Sequence, residues 1–100
     1  MKYSVQFSPA AERELRKLSP KLNKRDKRQL AKCIEDLADD PYPEGSKKLI
    51  GAEIYRLRSG NYRIAYTVRA RKLIVLILKV SNRKEFYKRI KEVEKRAKAF

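Results

Sequence analysis

The chain contains no histidine and only one cysteine, Cys33. Without histidine there is no imidazole to act as acid or base. A single thiol excludes an internal disulfide, and no Cys/His cluster offers metal ligands. Long apolar runs are missing too. The longest, "LIVLIL" at 73–78, is far short of the roughly 20 residues that span a bilayer, and no N-terminal stretch has signal-peptide length. Acidic residues are few, 12 against 27 Lys and Arg, so 100 residues carry a net charge of +15. The expectation is a cytoplasmic protein with no metal, no cofactor and no membrane partner. The excess positive charge favours a polyanion, nucleic acid foremost. The apolar share of 42% is ordinary for a folded chain, so the charge is not read as disorder. The length suits one domain, 1–100, with a modest core.

The hydrophobic period changes in an orderly way along the chain. Tyr3, Val5 and Phe7 alternate with polar residues, the mark of a strand buried on one face. "SPAAERELRKL" then has Ser8 as N-cap, Pro9 at the first helical position, and Leu15 and Leu18 at helical spacing. A second start signal at Ser19 and Pro20 opens a helix with Leu30, Ile34, Leu37 and Ala38 on one side, ending before Pro41. After the breaker-rich "PYPEGSKK" the period turns to strands: "EIYRLRS", "YRIAYTV" and "KLIVLILKV", separated by "SGN" and "RAR". The last strand barely alternates, as expected of a strand covered on both faces. Phe86, Ile90, Val93 and Ala97 form a final helical stripe that is expected to pack on the sheet. No internal repeat or low-complexity segment interrupts this order. The result is an α+β chain, β-α-α-β-β-β-α. Its mainly antiparallel four-stranded sheet is packed by an N-terminal helical hairpin and a C-terminal helix.

The "SGN" hairpin permits a sharper inference. A two-residue turn at Ser59-Gly60 or Gly60-Asn61 makes the sum of paired residue numbers odd. Either register puts Arg56, Arg58 and Arg63 on one sheet face and Tyr55, Leu57, Tyr62, Ile64 and Tyr66 on the other. The apolar face can receive helices, leaving the arginines opposite. Exposed charges on a strand commonly serve solubility alone, but lysine would do that equally well in this lysine-rich chain. The planar fork of arginine is suited to grip a phosphate through two hydrogen bonds. Beyond the last strand, Arg83 and Tyr87 are one helical turn apart and could reach the rim of that face.

These features together, "DP" after two helices, "KKLIG", "YRLRSGNYRIAYTV", a hydrophobic strand and "NRKEFYKR", resemble the RelE/ParE superfamily of toxins from type II toxin-antitoxin pairs, and its RelE-like branch best. The likeness covers roughly residues 1 to 90. It implies the RelE-like, microbial RNase-like fold. It also implies a metal-independent endoribonuclease, an mRNA interferase that cuts messenger RNA in the ribosomal A site and so inhibits translation. The partners implied are a RelB-like cognate antitoxin and the ribosome with bound mRNA. By the same resemblance, Arg63 and Arg83 would contact the scissile phosphate and Tyr87 would move a proton. Arg56 takes a basic catalytic position that is often lysine. Lys47, Lys48, Arg58, Lys84 and Lys88 would hold RNA. Asn82 stands where many relatives have histidine, and Ile54 stands where some are basic; Arg56 in place of lysine leaves the proton donor to the leaving group unassigned, since arginine is a very poor acid.

Two other functions remain open on the residues: a ParE-like toxin that inhibits DNA gyrase, and a non-catalytic basic module that binds RNA or the ribosome. Individual residues have plainer readings as well. Tyr87 could be a rim aromatic with a wet hydroxyl, and Cys33 a small packing residue between Leu30 and Ile34. The basic run "KLNKRDKR" reads as a solvated helix face or a ribosomal RNA docking surface.

Overall fold

The computed structural model describes residues 2–49, 53–88 and 90–98. The end of the "KKLIG" segment, Arg89 and the side chain of Ile90 lie outside the described residues. The order is β1 (Ser4–Phe7), α1 (Pro9–Leu18), a 3-10 turn at Ser19–Lys21, α2 (Lys24–Asp36), β2 (Lys47–Lys48), β3 (Ile54–Ser59), β4 (Tyr62–Arg69), a 3-10 turn at Ala70–Lys72, β5 (Ile74–Asn82), α3 (Arg83–Lys88) and α4 (Ile90–Lys98). The strands form one sheet in the order β1-β5-β4-β3-β2. β1 runs parallel to β5 and every other pairing is antiparallel. No helix among the described residues is long and apolar enough to cross a membrane.

The sheet thus has five strands rather than the expected four. The addition, β2, is two exposed lysines that pair across Arg56 and Tyr55. Two residues of one polar type carry no alternation, so only tertiary pairing makes them a strand. The second helix also starts later than expected. Ser19-Pro20-Lys21 closes a 3-10 turn, and Asn23 caps α2 by accepting from the Asp26 amide at 2.7 Å. The first helix begins as its sequence requires, with Pro9 at the start and Ser8 Oγ accepting from the Ala11 amide at 3.1 Å. That hydroxyl also donates to the Leu78 carbonyl at 3.4 Å, tying the cap to the sheet. Ser8→Ala is therefore expected to destabilise the fold by about 1–2 kcal/mol, measured by urea unfolding.

Two apolar clusters lie on opposite faces of the sheet. Leu57, Ile64, Tyr66, Val68, Val75, Ile77 and Val80 meet Ala11, Leu30, Ile34 and Leu37 of the α1–α2 side, with Cys33 packed at its margin. Ile54, Ala65, Leu76 and Leu78 meet Phe86 and Val93 under α3 and α4, with Ala97 against them. β5 supplies alternate residues to both clusters, which is why its sequence shows so little alternation. Its pairing with β4 shifts between Ala65 and Tyr66, a local irregularity in the strand. The face opposite α1 and α2 is therefore not an open arginine face throughout. Helices cover one end of it, and the arginines occupy the end beside the Gly60 turn.

Candidate active site

The turn itself sets the site. Ser59 pairs with Tyr62, so Gly60-Asn61 is a two-residue connection, and Gly60 takes φ +58°, a region that glycine enters without a Cβ clash. Arg58 then lies directly opposite Arg63, and Arg56 opposite Ala65, which places the three arginines on one face as the register arithmetic requires. The Gly60 carbonyl accepts from both Arg58 Nε and Arg63 Nη1, each at 3.2 Å. One main-chain oxygen thereby holds two like-charged side chains that would otherwise repel.

Arg63 is 5% exposed, yet its Nη1 donates to the carbonyls of Gly60 and Tyr62, and its buried Nε has no partner among the described residues. No carboxylate pairs with Arg56, Arg58, Arg63 or Arg83 among the described residues. A guanidinium taken out of water without a counter-ion is unfavourable, and binding an anion relieves the imbalance. The planar fork of the guanidinium suits a phosphate group.

β5 brings the last residues to this end. Its terminal Asn82 pairs with Tyr62, and Ser81 sits opposite Arg63. The Asn82 side chain accepts from the Glu85 amide at 2.9 Å and so caps α3, while the Arg83 amide donates to the Asn61 carbonyl at 3.1 Å. The main chain of Arg83 is thus pinned to the hairpin turn, and its exposed guanidinium is left without a partner among the described residues. One turn on, the 51% exposed Tyr87 accepts at its hydroxyl from Arg56 Nη1 at 3.3 Å. Partial desolvation alone would raise the phenol's pKa. The hydrogen bond and charge of Arg56, reinforced by Arg63, outweigh it, and Tyr87 lies below its usual 10.0.

The expected contact residues divide. Lys47 is opposite Arg56 and shares its face, whereas Lys48 is opposite Tyr55 and belongs to the other. Lys84 and Lys88 are exposed on α3, with Lys88 at 4.0 Å from Glu85. The structure therefore brings together Arg56, Arg58, Arg63 and Tyr87, with the Arg83 main chain and Lys47 alongside. Sequence reasoning missed the Gly60 carbonyl as the anchor of two arginines. The only signal for it was the tight "SGN" turn. As phenolate, Tyr87 can accept a proton, and the guanidiniums beside it can stabilise a developing oxyanion.

Comparisons with known proteins bear on the family and the fold. The family model described as ParE toxin of type II toxin-antitoxin system, parDE, matches residues 5–87. Toxin RelG of Mycobacterium tuberculosis is 32% identical over 96 residues, covering 89% of this chain and 100% of that protein. Among solved structures, the toxin-antitoxin complex RelBE2 of Mycobacterium tuberculosis aligns at 29% identity and a TM-score of 0.68, over 83% of this chain and 93% of that one. The archaeal RelE-RelB complex of Pyrococcus horikoshii OT3 aligns at 28% identity and a TM-score of 0.68, over 83% and 97%. With a family model over most of its length and RelE-type relatives in sequence and structure, this chain belongs to the RelE/ParE superfamily of type II toxin-antitoxin toxins, in the RelE-like branch.

Proposed function

We propose that this toxin is a ribosome-dependent endoribonuclease that cuts messenger RNA in the ribosomal A site and is held silent by a RelB-like antitoxin. The observation that carries the reading is the Tyr87 hydroxyl bonded to Arg56 beside the buried, uncountered Arg63. In the reaction, Tyr87 as phenolate takes the proton of the ribose 2′-hydroxyl. The 2′-oxygen attacks the adjacent phosphorus, and the bond to the 5′-oxygen breaks, leaving a 2′,3′-cyclic phosphate and a 5′-hydroxyl. Arg63 stabilises the charge that grows on the phosphorane, with Arg83 closing from the α3 side. A preorganised donor of this kind is typically worth roughly 3 kcal/mol of barrier. Arg58, Lys47, Lys84 and Lys88 supply phosphate contacts along the strand, and Lys48 can serve only a path that bends around the sheet edge.

The leaving 5′-oxygen must gain a proton, and arginine is too weak an acid to give one. Dependence on the ribosome follows, since the ribosome would orient the RNA and complete the acid-base set. The antitoxin is proposed from the solved relatives that are themselves RelB complexes. A chain of +15 also favours an acidic partner.

Primer extension on a messenger RNA in a reconstituted translation system tests the reading. Wild type is expected to give codon-phased cuts that need the ribosome and disappear with Arg83→Ala and with Tyr87→Phe. Equal cutting of naked RNA would overturn the ribosome requirement. An absence of cuts, together with inhibition of DNA gyrase, would assign the chain to ParE-type activity instead.

A further inference from the structure

A carboxylate that takes no part in the proposed chemistry sits at the junction of three elements. β1 pairs with β5 as far as Phe7 opposite Ile77, so residues 78–82 of β5 continue with no strand on that side among the described residues. Side chains of the first helical segment replace the missing strand. Ser8 Oγ donates to the Leu78 carbonyl at 3.4 Å, and Glu14 Oε1 accepts from the Val80 amide at 3.4 Å. The same carboxylate accepts from Lys79 Nζ at 2.7 Å and from Arg96 Nη1 of α4 at 3.0 Å. Arg96 also donates to the Leu78 carbonyl at 2.9 Å. Lys79 is only 2% exposed, so loss of Glu14 alone would strand a buried cation.

What this junction holds is the edge of the site. Directly after Lys79 and Val80 come Ser81, opposite Arg63, and Asn82, the cap of α3. Behind α3, Phe86 shares a buried cluster with Val93 of α4, and the Phe86 ring packs edge-on against Tyr87 at 5.2 Å. A shift of the β5 end or of α4 is thereby passed to the Tyr87 ring, whose hold on Arg56 is a single 3.3 Å hydrogen bond.

We propose that Glu14 is a positioning residue: by joining α1, the free end of β5 and α4 at one carboxylate, it fixes the frame that sets Arg83 and Tyr87 against Arg56 and Arg63. The effect on cleavage rests on the ribonuclease reading; the effect on the geometry of Tyr87 does not.

The test is the double variant Glu14→Gln/Lys79→Met, which removes the carboxylate together with the lysine it would strand and leaves an acceptor for the Val80 amide. Circular dichroism and thermal melting establish that it folds. The Tyr87 phenol is followed by NMR of carbon-13-labelled tyrosine and assigned with Tyr87→Phe. In the variant it is expected to titrate near the ordinary phenol value of about 10 rather than below it. Single-turnover cleavage on the ribosome is expected to fall on the order of 100-fold, with ribosome affinity unchanged. If the double variant does not fold, Arg96→Met, at the less buried arm of the junction, is read in the same way. A folded variant with wild-type phenol titration and a wild-type single-turnover rate would overturn the proposal. A wild type that cuts no RNA would sink the ribonuclease reading, yet the titration would still decide the role of Glu14.

Discussion

Replacing Arg63 with methionine is expected to lower single-turnover cleavage by about 10²–10³-fold and to leave the protein at least as stable as the wild type. The two halves of this result have one cause. Among the described residues, Arg63 is buried without a carboxylate, its Nε has no acceptor, and Arg58 stands directly opposite with the same charge. Each of these disfavours the folded state. In return Arg63 Nη1 donates to two carbonyls, and one of them, Gly60, keeps Arg58 Nε as a donor after the substitution. Methionine fills similar volume and adapts to an irregular site. Relief of the burial and repulsion is expected to be worth about 1 kcal/mol, a rise of several degrees in melting temperature for a domain of this size. A melting temperature well below the wild type would show instead that Arg63 is a structural residue whose charge is balanced in solution. Such opposition between stability and activity is expected where a site is built to receive an anion that the isolated protein lacks.

The arginine face was legible because hairpin register is local arithmetic. Once "SGN" is read as a two-residue turn, alternation alone assigns Arg56, Arg58 and Arg63 to one side, and the observed pairing agrees. The weak alternation of "LIVLIL" was legible for a similar reason, since Val75 and Ile77 serve one cluster and Leu76 and Leu78 the other. What could not be read depends on contacts between distant segments. β2 exists only because Lys47 finds Arg56, and the same pairing separates Lys47 from its neighbour Lys48, although the sequence treats them alike. The start signal at Ser19-Pro20 closes a 3-10 turn instead, and the second helix begins only after Leu22 is buried, with Asn23 as its cap. Phe86 and Val93 pack on the sheet as their spacing suggests, but on the same face as the arginines, which register arithmetic alone did not show. Glu14 carried no sequence signal at all, because its partners Lys79 and Arg96 are remote in the chain.

The pH dependence of cleavage separates a catalytic Tyr87 from a rim aromatic. If the phenolate is the base, the rate rises with pH as the phenol loses its proton and levels off above its pKa. Because Arg56 and Arg63 draw that pKa below 10.0 despite partial desolvation, the wild-type plateau is expected to begin at lower pH than a free phenol would allow. Arg56→Met removes the larger of the two arginine influences that lower the pKa. Its rising limb should move toward the ordinary phenol value of about 10, with a lower rate at neutral pH but a recoverable rate at high pH. Tyr87→Phe should be about 10²–10⁴-fold slower and lack the limb altogether. Added salt should act in the same direction as Arg56→Met, since the half-exposed hydroxyl leaves the arginine charge open to screening. A limb that persists unchanged in Tyr87→Phe would show that the ionising group belongs to the ribosome or the RNA. Tyr87 would then only line the groove, and the guanidiniums alone would remain as this chain's part in the chemistry.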